Sequence, residues 1–202
     1  RRQRQMCIRD SNLAGSSALT FDGITWSKSM WQNANSMNIY TDSSKLVLKN
    51  AATLNYTNFW GALNEVLFDQ NASIDISGGS SFIGQNGVKL VMSNNAVASV
   101  DGTNSALNFS AMQLNNSAKI DVKNGGTVSL ADVEINDSAS INFLSDFSYS
   151  NPGIKASGTS ATINIDGATM MRNLSGSTPI TVSGSTKLNF INGATFNGQH
   201  NH

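Results

Sequence analysis

Apolar and polar residues alternate with period two in short bursts along this chain, and the bursts recur. "NNSAKIDVKNGG" (115–126) sets Ile120 and Val122 on either side of one acid, with an alanine two places ahead of Ile120 and an asparagine four places ahead. The same phrase returns as "QNASIDI" (70–76), "NDSASINF" (136–143) and "GTSATINI" (158–165). Anchored on the first apolar residue, eight copies start at Met37, Leu54, Ile74, Ala98, Ile120, Ile141, Ile163 and Leu188, at spacings of 17 to 25 residues and a mean near 22. Two places on stand Ile39, Tyr56, Ile76, Val100, Val122, Phe143, Ile165 and Phe190, all apolar. The residue between is always polar: Asn38, Asn55, Asp75, Ser99, Asp121, Asn142, Asn164 and Asn189. Such alternation is the mark of a half-buried strand.

The positions ahead of each anchor predict a corner. Two places before it, six of the eight copies carry alanine, a side chain small enough for the inside of a bend. Four places before it, Asn33, Asn50, Gln70, Asn94, Asn116 and Asp137 suit a backbone turned to positive φ. Between copies lie further short strands, such as "KLVL" (45–48), "KLVM" (89–92), "TVSL" (127–130) and "ITV" (180–182). "NFWGALNEVLF" (58–68) comes nearest to a helical stripe and reads better as strand and loop.

A repeat near 22 residues containing several short strands predicts a β-solenoid. Inward residues meet their equivalents above and below, so those columns persist while loops vary. Variable spacing favours a right-handed parallel β-helix of about eight to nine turns over a left-handed hexapeptide helix, which needs multiples of six. A β-sandwich is the alternative arrangement of such strands. Strands stacked about 4.8 Å apart would make a rod roughly 35–40 Å long, with outward asparagines forming amide ladders and the last coil uncapped near Phe196.

Composition narrows the function. Asn, Ser and Thr number 26, 29 and 14, a third of the 202 residues, while charged residues make up only 13%. With two prolines and so little charge, the chain does not resemble a disordered one. Residues 1–11, "RRQRQMCIRDS", hold four of the five arginines and the only cysteine, Cys7. "MCIRD" resembles a translated sequencing adaptor, so 1–11 is expected to be a non-native or disordered extension, with 12–202 a single β-helix domain incomplete at one or both ends. Without that extension the charge is −3, from 9 basic and 12 acidic residues, which removes the electrostatic basis for nucleic-acid binding. No run of about 18 apolar residues occurs, so no helical membrane insertion by this segment is expected.

"SKLVLKNAATLNY" (44–56) and "TVSLADVEINDSASINF" (127–143) resemble passenger regions of autotransporter adhesins of Gram-negative bacteria, of the pertactin-like and AIDA type. The likeness covers roughly residues 19 to 196 and lies in the alternating strands, the small-residue phrase and the absence of cysteine. It implies a rod at the bacterial cell surface, anchored to the outer membrane in the full-length protein. It also implies adhesion to host or bacterial surface glycans or proteins, or self-association as in biofilms. This segment departs from that family's pattern in that neither a signal region nor a membrane barrel is expected within it.

The rival class is a polysaccharide-active β-helix, a lyase or glycoside hydrolase, or a carbohydrate-binding fragment of phage-tailspike type. Asp75 and Asp121 share the outward column two turns apart, roughly 10 Å, too far for a retaining pair of carboxylates and at the edge of the range for an inverting one. Asp132, Glu134 and Asp137 lie on one strand and offer too few converging oxygens for a cation. Arg172 has no acid nearer than Asp166, and His200 and His202 lack a third metal ligand. Trp26, Trp31, Trp60, Tyr40, Tyr56 and Phe59 gather in the first third and are expected to serve the core or a cap. No enzyme, metal or cofactor is expected. The candidate binding residues are the outward column from Asn38 to Asn189 and the insertions near 57–65, 77–88 and 144–156.

Overall fold

The computed structural model describes residues 12–30, 38–58, 64–129, 132–149, 153–172 and 180–198. The phrase forms one side of a three-faced parallel β-solenoid, and no helix occurs among these residues. The second face is an eight-stranded sheet of Ala18–Asp22, Lys45–Lys49, Ser73–Ser77, Val97–Asp101, Lys119–Lys123, Ser140–Phe143, Thr162–Asp166 and Lys187–Ile191, stacked in sequence order. The first face runs from Asn12–Leu13 through Asn38–Tyr40, Asn64–Phe68, Asp132–Asn136 and Gly153–Gly158 to Thr181–Gly184. Thr25–Met30, Thr53–Asn58 and Thr127–Val128 lie on the third face, which closes with a separate sheet of Phe147–Tyr149, Thr169–Arg172 and Thr195–Gly198. Ser81–Met92 and Ala106–Leu114 bend round the edge between the third and first faces and join them into one sheet. Every pairing is parallel, as it must be when each coil repeats the path of the one before.

Alternation along the phrase becomes alternation in depth. Lys119–Lys123 and Thr162–Asp166 both read half-buried, buried, half-buried, buried, half-buried. Leu19, Leu46, Ile74, Ala98, Ile120, Ile141, Ile163 and Leu188 are register partners in succession, forming one inward column. Leu46 to Ile163 are fully buried, so six coils are enclosed and the two end coils are not. The column corrects the expected period to near 24 residues, and the expected eight to nine turns to about six.

It also corrects two anchors. "LTF" at 19–21 and "LVL" at 46–48 fill the first two places of the second face. Leu54 stands on the third face between Trp26 and Phe82, and Met37 lies outside the described residues. The cause is that one exit corner uses the chemistry of the entry corners. Asp42, Gln70, Asn94, Asn116 and Asp137 adopt φ of 54 to 58° at the corner entering the second face, where Ala72, Ala96, Ala118, Ala139 and Ala161 are buried. Leaving that face, Asn50 (φ 57°) precedes buried Ala52 in the same way. In both, the buried residue's N–H reaches the carbonyl three residues back, as from Ala118 to Asn115 and from Ala52 to Lys49. "NAATLNY" is therefore locally indistinguishable from the phrase.

Aromatic residues fill the N-terminal half of the interior. The Tyr40 and Phe68 rings stack at 4.3 Å, Trp26 meets Tyr56 edge-on at 5.9 Å, and Phe82 meets Phe109 edge-on at 4.9 Å. Trp26, Tyr40 and Tyr56 thus take the core role the sequence suggested, while Trp31, Phe59 and Trp60 lie outside the described residues. Phe109 fits only because residue 84 is glycine. A Cβ there would lie 2.3 Å from the Phe109 ring. Gly84→Ala is expected to cost about 1–3 kcal/mol in urea titration, and Gly84→Ala with Phe109→Leu should recover part of that loss. An unchanged midpoint for the single variant would contradict this packing.

Candidate binding face

The outward surface of the second face carries the residues that the sequence singled out. Thr20, Val47, Asp75, Ser99, Asp121, Asn142, Asn164 and Asn189 are successive register partners in one straight column. Six of the eight candidate positions are therefore brought together. Asn38 stands instead on the first face, in register with Val66. Asn55 is half-buried on the third face, in register with Ser27 and Ile83. Thr20 and Val47 take their places in the column.

In its C-terminal half the column is an amide ladder. Asn142 Nδ2 donates to Asp121 Oδ1 at 2.6 Å, Asn164 Nδ2 to Asn142 Oδ1 at 2.6 Å, and Asn189 Nδ2 to Asn164 Oδ1 at 2.7 Å. Each donor points toward the N-terminal neighbour. Asp121, which has no proton to give, ends the run as a pure acceptor and also meets Lys119 at 2.9 Å. A second ladder follows the corner between the first and second faces. There Asn94 Nδ2 donates to Asp69 Oδ1 at 2.6 Å, Asn116 Nδ2 to Asn94 Oδ1 at 3.1 Å, and Asp137 Oδ2 accepts the Asn116 backbone N–H at 3.0 Å. A third joins Ser93, Asn115, Asn136 and Ser157 at 3.0 to 3.3 Å. Amides suit this role because each supplies a donor and an acceptor at the spacing of stacked strands.

Four acids of the face are paired with lysines, and the fifth, Asp166, accepts from Asn192 Nδ2 at 2.6 Å. Lys45 pairs with Asp75, Lys49 with Asp22 at 3.1 Å, and Lys123 with Asp101 at 3.4 Å. The Asn50 amide and then Lys49 hold the Asp22 carboxyl below its ordinary value. Asp75 and Asp121 sit on either side of Ser99, two coils apart as the sequence placed them. Asp132 faces Lys155 at 3.7 Å, which with the Asp137 contact separates the acids of "ADVEIND". Among the described residues no group of three or more His, Cys, Asp or Glu is placed to hold a metal ion. His200 and His202 lie outside those residues, and so does Cys7.

One signal was misread. The stretch 77–88 is not an insertion but a corner followed by the long strand Ser81–Met92. In 144–156, Phe147–Tyr149 and the start of Gly153–Gly158 belong to the sheets. Of 57–65, residues 59–63 lie outside the described part. Sequence reasoning also missed a shallow groove of about 510 Å³ on the third face, lined by Gln85, Asn86, Asn108 and Ser110 among others. It forms where the register slips between Phe109 and Ala111, and no charged residue lines it. No helix of the described residues is long and apolar enough to cross a membrane. Comparison with protein-family models, with curated proteins and with solved structures finds no match.

Proposed function

We propose that the chain is an extracellular, non-enzymatic rod at a bacterial surface, of the kind formed by autotransporter passengers, which presents its polar second face for adhesion or self-association. The observation that carries this reading is the unbroken ladder Asp121–Asn142–Asn164–Asn189 on a stiff stack of parallel strands. Amides held at a fixed repeat offer many weak hydrogen-bonding sites to a repetitive polar partner, such as a surface glycan or protein. Weak contacts that engage together gain in avidity without any single strong one.

The acids of the second face support this reading over hydrolysis, since Asp22, Asp75, Asp101 and Asp121 are each paired with a lysine and Asp166 accepts from the Asn192 amide. Beads coated with the whole chain should adhere to bacterial or epithelial surfaces. Replacing Asn142, Asn164 and Asn189 together by lysine should lower adhesion at least tenfold while the far-UV circular dichroism stays that of a β-sheet protein. Unaltered adhesion by the folded triple variant would dismiss the column as the binding surface. Turnover of acidic polysaccharides that vanishes with Asp121→Asn would replace the reading with an enzymatic one.

A further inference from the structure

Asparagine followed by glycine is the pair at which a chain most readily reacts with itself, because glycine has no Cβ to keep its backbone nitrogen from the asparagine carboxamide. Four such pairs occur here, beginning at Asn86, Asn124, Asn192 and Asn197. Three of them share one backbone geometry. Asn86, Asn124 and Asn192 have φ of 56, 53 and 54°, and the glycines after them 85, 81 and 77°. All three asparagines are exposed. Asn197 differs, since it lies within the strand Thr195–Gly198. Neither local conformation nor access to water therefore distinguishes the three turns.

What each carboxamide holds does distinguish them. Asn124 Nδ2 donates to Asp101 Oδ1 at 2.7 Å and Asn192 Nδ2 to Asp166 Oδ1 at 2.6 Å, each reaching the preceding coil. Asn50 makes the same contact with Asp22 at 2.7 Å. These three acids are themselves followed by glycine, in "FDG", "VDG" and "IDG", so one hydrogen bond ties down the reactive side chains of two adjacent coils. A bond to a carboxylate is among the stronger ones and fixes the amide on its neighbour. Asn86 belongs to a different edge, the bend of Ser81–Met92 between the third and first faces. Its carboxamide has no hydrogen-bond partner among the described residues. The Gly87 N–H donates over 3.4 Å to Ser110 Oγ, and no atom lies within 4 Å of where a Gly87 Cβ would stand. Here the ring-forming atoms are free to meet.

We propose that Asn86 is a self-modifying site, which deamidates in the folded chain while Asn124 and Asn192 are held intact. The Gly87 backbone nitrogen loses its proton to hydroxide and attacks Asn86 Cγ. The new C–N bond closes a succinimide ring, and Nδ2 takes up a proton and leaves as ammonia. Water then adds to either ring carbonyl and opens the ring to aspartate or isoaspartate. One water is consumed and one ammonia released, with no oxidant or reductant. The product puts a carboxylate into the groove of Gln85, Asn108 and Ser110, which no charged residue lines. An uncharged patch of the third face thus becomes anionic as the molecule ages, and the isoaspartate form lengthens the backbone at the bend. This inference rests on the fold and is independent of the adhesive role of the second face.

Peptide mapping by mass spectrometry, on the full chain kept in mildly alkaline buffer, tests it. Asn86 should gain one mass unit, mostly as isoaspartate, at least tenfold faster than Asn124 or Asn192. In guanidinium chloride, where no coil remains to hold an amide, the three sites should react at similar rates. Asp101→Ala, with its circular dichroism unchanged, should speed Asn124 severalfold in the folded chain and leave Asn86 as it was. Equal rates at Asn86 and Asn124 in the folded parent would overturn the proposal, as would an intact Asn86 there when guanidinium lets all three react. An Asn124 no faster in folded Asp101→Ala than in the parent would show that the carboxylate is not what protects it, and the comparison behind the proposal would fall.

Discussion

Ile141→Asp is expected to cost more than about 4 kcal/mol and to part the rod at that coil. Ile141 is fully buried, with Ile120 below it and Ile163 above it in the inward column. A carboxylate there has no cation within the column and must either stay charged in an apolar interior or take up a proton against its ordinary equilibrium. Both routes belong to the rare class of severe substitutions. In a stacked fold each coil is held only by its neighbours, so damage to one uncouples the coils beyond it. Hydrogen exchange should therefore lose protection across Thr162–Asp166 and Lys187–Ile191 first, while Lys45–Lys49 and Ser73–Ser77 stay protected. Ile141→Val removes one methylene and should cost only about 0.5–1.5 kcal/mol. Equal stability of the two variants would mean that the column is not the core.

This sensitivity to one residue also explains which parts of the structure could be read from the sequence. From Ile74 to Leu188 the inward columns follow directly from alternation, because burial on one side of a strand constrains every second residue and little else. The small residue at the corner was equally plain, since Ala72, Ala96, Ala118, Ala139 and Ala161 share one buried site. In the first two coils the same rule misled. Asn50 and Ala52 build the exit corner with the residues that Gln70 and Ala72 use at the entry corner, so local pattern could not say which face Leu54 and Asn55 occupy. Only pairing across 28 residues, from Leu46 to Ile74, settles it. The ladders were readable as a row of amides, but their common direction was not. That direction depends on which end of each amide meets a neighbour, and Asp121 imposes it by accepting only. The long strand over 81–92 was hidden because Gly84, Asn86 and Gly87 look like a loop, although Gly84 is glycine in order to admit the Phe109 ring.

Raising the pH above 10 is expected to unfold the rod through two tyrosines. Tyr40 and Tyr56 come from the first and third faces, meet inside the coil through their hydroxyls, and are almost fully buried. Burial raises the pKa of Tyr40, and burial together with the neighbouring phenol pushes Tyr56 well above the ordinary value of 10.0. Below pH 10 both groups are neutral in the folded and the unfolded chain, so they leave stability independent of pH. Above it the unfolded chain releases these protons while the folded chain retains them, so stability falls as pH rises toward the folded pKa values. Each tyrosine contributes a slope of about 1.4 kcal/mol per pH unit in that window. The exposed ion pairs of the second face, Lys119–Asp121 among them, are worth only about 0–1 kcal/mol each and cannot produce so steep a fall. Urea titrations between pH 9 and 12 should show it, and replacing both Tyr40 and Tyr56 by phenylalanine should remove most of the slope. A double variant that loses stability with pH as steeply as the parent would place the alkaline weakness elsewhere in the fold.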